Sequence, residues 1–486
     1  MNKSLLISLS SLGMMLLLTS SVLQAQNVGI GTNNPDPKAL VHLEDSTRGL
    51  LPTRMTTAQR DTLTNKPEGL VIYNVTTHCL EFWNGSNWIS TCASTVPCTK
   101  PPKPVPTPKD TVYWCLGDDG QLCVNNISGL TYIWTGPNGF YATGACVTVP
   151  NVNSSSLGTY TVYAYNGTTN CSSEDTVVVA LQKTTPYFSC TSSNTWNALP
   201  TPPATVSLRE NHITVSHLGY VYLGFGDISG TSCVYEWWRW NPCSNTWKQL
   251  ANPPVNFGGY SFTFTIGNYI YVGGGKWGCG GPINSFYRYD PANNSWSPMA
   301  SFPISVNGAA GTSDGTYGYV ACGYNGTSTL NTLYRYDPSA NSWTLLTSVP
   351  GPTRFSPFLA YYQGKLYVGG GSTNIGTGLN QDFYSYHIAS NTWTTLANHP
   401  NLNRDGYAVA YNGRIYVTGE HITPTSACTN QFYYYDIATD TWQPIAIFPG
   451  GVRNNLELVE VNGVLYGGFG KNCSGGYFRD WWAYCP

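Results

Sequence analysis

The chain has 486 residues, room for roughly three domains, and only 10% of them are charged, with 23 basic against 25 acidic side chains. That balance excludes a basic surface built for nucleic acid or anionic lipid. Gly, Asn, Ser, Thr, Tyr and Trp carry the composition and helical periodicity is nearly absent, so short strands joined by many turns are expected.

Lys3, the apolar run Leu5 to Leu18 and the small residue Ala25 read as a signal peptide over residues 1–25, cleaved before Gln26 and too short to serve as a membrane span. No cysteine follows the cleavage point, so no lipid anchor is expected. The destination is secreted, periplasmic or cell-surface, where the 15 cysteines can oxidise. An odd count leaves one unpaired, and Cys322, in an apolar strand-like stretch, is the expected buried free thiol.

Residues 26–94 form a small N-terminal β module. Asn84-Gly85 signals a hairpin turn, and Cys79 and Cys92 lie across that hairpin in bonding register. The stretch "NVGIGTNNPDPKALVHLEDSTRGLLPTRMT" resembles the N-terminal modules of secreted and surface proteins of Bacteroidota, which implies an accessory or cell-surface attachment role. Residues 95–109, with "VPCTKPPKPVPTPK", are expected to be a stiff extended linker that packs no core.

Residues 110–183 read as about seven short strands. Trp134 in "TYIWTGPNGF" and the strand "LGTYTVYAY" resemble the buried tryptophan and tyrosine corner of immunoglobulin-like β-sandwiches, implying a spacer module. Val162 stands where such domains carry their second cysteine. Cys123 with Cys146 and Cys115 with Cys171 are the expected pairs, one of three connectivities that four cysteines allow.

From residue 186 to 486 the chain repeats. Trp196, Trp247, Trp296, Trp343, Trp393 and Trp442 each follow an Asn or Asp by two residues, at spacings of 51, 49, 47, 50 and 49. Each period also carries an apolar strand ending in glycine, such as "YIYVGGG", and an aromatic strand leading into a turn, as in "YDPANNSW". A period near 50 in a strand-rich chain marks a propeller with one four-stranded blade per repeat. The glycine doublet, the aromatic-Asp-Pro turn and the spaced Trp resemble the kelch repeat of galactose oxidase-like propellers. The expected fold is therefore all-β, a six-bladed kelch-type propeller preceded by a sandwich and a small β module. The strand before Trp196 should complete the last blade, and Cys190 and Cys485, both aligned with the turn Asp, should bond there.

About 12 residues past each Trp stand Arg209, Gly258, Asn307, Arg354, Arg404 and Arg453, expected at one face of the central channel with the variable loops. Arg209, Asn307, Arg354, Arg404 and Arg453 are candidate ligand contacts suited to a carboxylate or polyhydroxyl group, with Trp277 and Tyr324 placed to stack on a sugar. Arginine there also serves the kelch scaffold, and that structural role stands ahead of the ligand role. His212, His217, His387, His399 and His421 share no repeat position or metal spacing, so no copper set, no other metal and no cofactor are expected. The sialidase Asp-box glycine is missing.

The resulting expectation is an exported binding or adhesion protein for a protein or glycan, without nucleic acid, membrane span or assigned catalytic residue. A sugar-modifying propeller of the N-acetylneuraminate epimerase type is the alternative. Glu210, Asp405 and Glu457 would supply its acid and base groups.

Overall fold

The computed structural model describes residues 28–30, 41–43, 49–92, 100–107, 111–166, 171–181, 187–228, 232–276, 280–375, 377–422, 430–472 and 474–486. It divides into two units, residues 1–99 and 100–486. Trp277 and the leader lie outside the described residues.

In the first unit, strands Arg54–Met55, Val71–Asn74, Cys79–Trp83 and Trp88–Ser90 form one sheet in that order. The tip of its last hairpin is an Asx turn, in which Asn84 Oδ1 accepts the Ser86 and Asn87 amides and Gly85 takes φ 89°. Cys79 and Cys92 are bonded across it.

The second unit opens with a sandwich. Its five-stranded sheet runs Phe140–Thr143, Leu130–Gly136, Gly158–Asn166, Cys171–Leu181, Thr111–Trp114, and its three-stranded sheet runs Cys146–Val149, Gly120–Val124, Pro106–Thr107. Trp134 is wholly buried, pairs across strands with buried Val162, and donates its indole N–H to Gly144 O at 3.1 Å. Tyr160 donates its hydroxyl to Ser156 O four residues upstream at 2.8 Å.

Two expectations fail here. The proline-rich stretch is not a free spacer from residue 100 onward: Pro101, Pro104 and Pro106 are buried, and Pro106–Thr107 pairs with the strand Gly120–Val124. Proline suits this short edge strand, which uses few amide donors. Cys115 does not pair with Cys171. It bonds Cys243 in the propeller, 128 residues away, while Cys123 pairs with Cys146 and Cys171 belongs to a different disulfide.

Six four-stranded blades follow, beginning at Ile213, Ser261, Ala310, Phe358, Leu402 and Glu457. We number them I to VI. Their first strands touch in sequence around a common axis and close on each other from VI to I. In blade VI the outer strand is Thr195–Leu199, paired antiparallel to Trp481–Cys485, so the start of the propeller completes its end. Cys190 and Cys485 are bonded beside that seam, and the free Cys322 is buried, its thiol pushed up to about 12 by burial. In blade II the glycine near the end of the second strand makes room for rings: a Cβ on Gly273 would lie 2.5 Å from the Phe262 ring and 2.8 Å from that of Phe286.

The recurrent Asn-x-Trp is a clip between blades. In blade II, Asn294 Oδ1 accepts the Ala251 amide at 2.8 Å and Trp296 donates its indole N–H to Ala251 O at 2.7 Å. One alanine of the preceding blade is thus held at both its backbone groups. The same pair of bonds recurs at Ala300 with Asn341 and Trp343, at Ala397 with Asp440 and Trp442, and at Ala446 with Asn194 and Trp196. A tyrosine hydroxyl two residues before the turn, such as Tyr336 at 2.8 Å from Asn341 Oδ1, shares the acceptor. The asparagine reaches both partners from a left-handed backbone, φ 49° at Asn341. Blades I and IV depart from the rule: the residue four past Trp196 is Pro200, which has no amide to offer, and the residue four past Trp343 is Thr347, whose side-chain hydroxyl donates to Asn391 Oδ1 at 2.9 Å. In these two blades the indole N–H of Trp247 and of Trp393 has no acceptor among the described residues.

Two outcomes follow for stability. Asn341→Gly keeps the left-handed turn but loses both accepted bonds, and should cost about 2 kcal/mol, with Asn341→Ala costing about 1 kcal/mol more through backbone strain; thermal unfolding of the two variants checks the difference. Cys485→Ala opens a link of sequence separation 295 and should remove about 3–5 kcal/mol, seen as a lower thermal midpoint that reducing agent reproduces in the wild type.

Candidate functional site

The loops that lead into each first strand and those that join second to third strands meet on one face of the propeller. Reciprocal backbone bonds tie them at Glu210 with Asp227, Asn307 with Tyr324, Phe355 with Ser372 and Asn454 with Lys471. The residue before each of these lead-in positions is Arg209, Val306, Arg354 or Arg453. Blade V follows the same scheme: Asn403 donates its amide to the preceding blade at Asn380 O, as Val306 and Arg354 do to theirs. Asn307 and Arg404 therefore sit one position beyond the arginine register, because the count from the repeat Trp varies from blade to blade.

The register explains why the arginines are poor ligand contacts. Arg209, Arg354 and Arg453 are 0% exposed, as are Val306 and Asn403 at the equivalent places. Arg354 grips both oxygens of Asp382 at 2.9 and 3.0 Å and adds Gly370 O at 3.1 Å and Pro350 O at 3.0 Å. Arg453 repeats this on Asp480 at 2.7 and 2.8 Å, and Arg209 reaches Glu236 at 2.7 Å. Each guanidinium joins a lead-in loop to the ends of its second and third strands, and removing it would strand a carboxylate at a cost of about 3–5 kcal/mol. The three are scaffold, and the ligand role expected for them is withdrawn.

Of the other candidates, Asn307 is 6% exposed and its Oδ1 has no hydrogen-bond partner among the described residues. Arg404 keeps 23% of its side chain exposed, beside Asp405, and blade V has Gln431 where the other clamps carry Asp or Glu. Tyr324 is half-buried and donates to Gly326 O at 2.6 Å. Trp277, outside the described residues, has no assigned place.

Inside the lead-in loops lies an annulus at the mouth of the channel. Asn211, Tyr260, Gly308, Ser356, Asp405 and Asn455 all have left-handed backbones, with φ of 53, 62, 60, 54, 48 and 58°. Three successive bonds run around it: the Tyr260 amide to Asn211 O, Gly308 to Tyr260 O and Ser356 to Gly308 O, at 2.9, 2.9 and 2.8 Å. Tyrosine and serine seldom adopt this conformation, and such strain collects where the surrounding structure positions side chains for use. Below the annulus the six first strands enclose a cavity of about 330 Å³.

The mouth is rich in polar groups. Asp227 accepts from Asn211 at 3.1 Å and pairs with Lys276 at 3.3 Å, and the Lys276 ammonium lies 4.7 Å from the centre of the Tyr260 ring. Burial, together with Asp405, Asp227 and Glu210, holds the Tyr260 hydroxyl well above its ordinary range. Glu210 binds Lys471 and the Tyr477 hydroxyl, each at 3.1 Å. On the cavity wall Glu457 is 2% exposed, next to Tyr407 and Thr214, and burial holds its carboxyl well above the usual value. Glu457 thus lines the channel wall as a carboxyl whose burial favours its neutral form. His212 and His399 are buried and kept neutral, pushed down to about 3 and about 4 by loss of solvent. Among the described residues no group of three or more His, Cys, Asp or Glu could hold a metal ion.

Sequence reading reached Glu210, Asp405 and Glu457 but missed Asn211, Tyr260, Lys276 and Tyr407. An acid inside the apolar strand "LELVEV" was the one available signal.

The sandwich attaches on the opposite face of blade I. Besides the Cys115–Cys243 bond, Tyr220 donates to Leu116 O at 2.6 Å, Asn241 to Leu116 O and Asp118 at 3.1 Å each, and Arg239 to Gly117 O. The blade I residues lie in or beside the ends of its second and third strands that are away from the mouth. The mouth stays clear of the sandwich.

Comparison with known proteins agrees with this architecture. Residues 179–419 match the attractin/LZTR1 β-propeller family, and residues 29–101 match the phage tail like trimerisation region. The solved structure of YjhT aligns with a TM-score of 0.50 at 16% identity, over 58% of this chain and 96% of that one. No curated protein matches in sequence. The chain carries a β-propeller of the kelch type.

The buried acid makes stability depend on pH in a defined sense. A carboxyl whose folded value is raised is fully compatible with folding below the unfolded value of 4.5, and the stability it permits is lost as pH rises toward the folded value. Glu457→Gln should therefore melt a few degrees above wild type at pH 8 and level with it near pH 4, read from melting curves across that range.

Proposed function

We propose that this is an exported binding protein whose propeller takes a glycan at the mouth of its central channel. The immunoglobulin-like sandwich holds it from behind, and the N-terminal module both attaches and trimerises it. The observation that supports this most directly is the annulus. Amide, hydroxyl, carboxylate and ammonium groups from different blades converge over a cavity of about 330 Å³, on the face that the sandwich leaves clear. Such a set matches a polyhydroxylated ligand, whose hydroxyls donate and accept in turn, better than the extended dry patch that a protein partner needs. Tyr260 offers a ring for a sugar face. Four disulfides among the described residues fit an oxidising compartment, and no described helix is long and apolar enough to cross a membrane.

Glu457 favours a second reading. A carboxyl on the channel wall whose burial favours the protonated form is placed to lend a proton to a sugar ring oxygen, as the epimerase-type alternative requires.

A glycan array probed with residues 26–486, followed by titration of the best hit, tests the first reading. Lys276→Ala and Tyr260→Ala should each weaken binding about tenfold or more, while Lys365→Ala, on the exposed side of blade IV, should leave it unchanged. Equal affinity in all three would move the site away from the mouth. Interconversion of N-acetylneuraminate anomers followed by NMR separates the two readings: acceleration by wild type that Glu457→Gln abolishes would make the protein an enzyme.

A further inference from the structure

The N-terminal sheet is built inside out. Its register places Val71 opposite Phe82 and Phe82 opposite Ile89, with Tyr73 opposite Leu80, so these five side chains share one face. Ile72, Asn74, Cys79 and Glu81 share the other. The second face is the covered one: Asn74 is 0% and Glu81 2% exposed, under the short helix Thr57–Asp61, whose Arg60 binds Glu81 at 2.7 Å while Thr57 accepts from Asn74 at 2.9 Å. The apolar face is open, with Val71 at 49%, Leu80 at 40%, Phe82 at 38% and Ile89 at 39% exposed. A sheet that meets water on one side normally shows the reverse arrangement.

Polar groups border this face: Arg54 lies over the Tyr73 ring at 5.7 Å at one edge, and the Thr91 hydroxyl donates to Leu80 O at the other. Leu50 and Leu51, which precede the sheet, are 74% and 77% exposed. An aliphatic and aromatic surface of this continuity marks an interface. The match of residues 29–101 to the phage tail like trimerisation region identifies its occupant as further copies of this chain.

We propose that three copies associate with the Val71, Tyr73, Leu80, Phe82 and Ile89 faces of their N-terminal sheets packed around a common axis. The proposal rests on the trimerisation reading above and adds the surface. Each copy buries the row that water now meets, and the buried Arg60–Glu81 pair keeps the sheet from turning its polar side to the axis. Three channel mouths then sit on one particle, so a weak monovalent affinity for a repeated glycan is multiplied.

The test is light scattering on residues 26–486 after size exclusion. Wild type should have three times the chain mass, and Phe82→Lys and Leu80→Lys should each be monomeric with the Cys79–Cys92 bond intact by mass spectrometry. A wild-type trimer with both variants still trimeric overturns the surface and leaves the trimerisation reading standing; a wild-type monomer overturns both. Ile89→Cys avoids any loss of folding: a short bismaleimide should link copies through it, and a failure to link a trimeric sample overturns the proposed face.

Discussion

The structure depends on one small arrangement, in which an asparagine carbonyl and an indole N–H two residues apart hold the two backbone groups of a single alanine in the blade before. The geometry needs a left-handed asparagine, and the asparagine in turn anchors a tyrosine hydroxyl from its own blade. Sequence motif, turn conformation and blade spacing are therefore one constraint. It also explains the seam. Where Pro200 removes the amide, the ring relies instead on a strand borrowed from the other end of the propeller and on a covalent bond beside it.

A motif spent on joining blades, with its full pair of bonds in four of them, leaves chemical variety to the positions that differ. The annulus shows this division of labour. Its backbone is left-handed in every blade, whereas its side chains run from none at Gly308 to a carboxylate at Asp405 and a phenol at Tyr260. The arginine clamps hold the lead-in loops from the side away from the axis, which keeps that varied set in fixed positions. Binding groups on a stiff ring lose little entropy when a ligand arrives.

Blade number, the closing strand and the sandwich core were legible because each rests on local periodicity or on a residue that must be buried, such as Trp134. The site was less so. A fixed count from each Trp placed Asn307 and Arg404 one residue beyond the arginine register, since Val306 and Asn403 follow their Trp by 10 residues where Arg354 and Arg453 follow theirs by 11. Strand parity put the lead-in loops and the second-to-third loops on one face, but burial decides which side chains on that face meet solvent, and burial depends on partners such as Asp382 that lie 28 residues further on. The partner of Cys115 was out of reach for the same reason: it belongs to a contact between domains. The alternation Val71, Ile72, Tyr73, Asn74 is equally silent on which face is covered until the helix that lies on it is known.

The bond from Cys115 to Cys243 has a mechanical consequence. If the N-terminal module is held and a ligand pulls on the mouth, tension along the main chain would reach the propeller through residues 182–194 and unzip the closing strand Thr195–Leu199 from its edge. The bridge offers a parallel covalent path from the sandwich straight into blade I. The bond at Cys190 stops any remaining load before it arrives at the closing strand. The propeller is thus tethered so that a pull loads sulfur–sulfur bonds, and the hydrogen-bonded ladder of its last blade is spared.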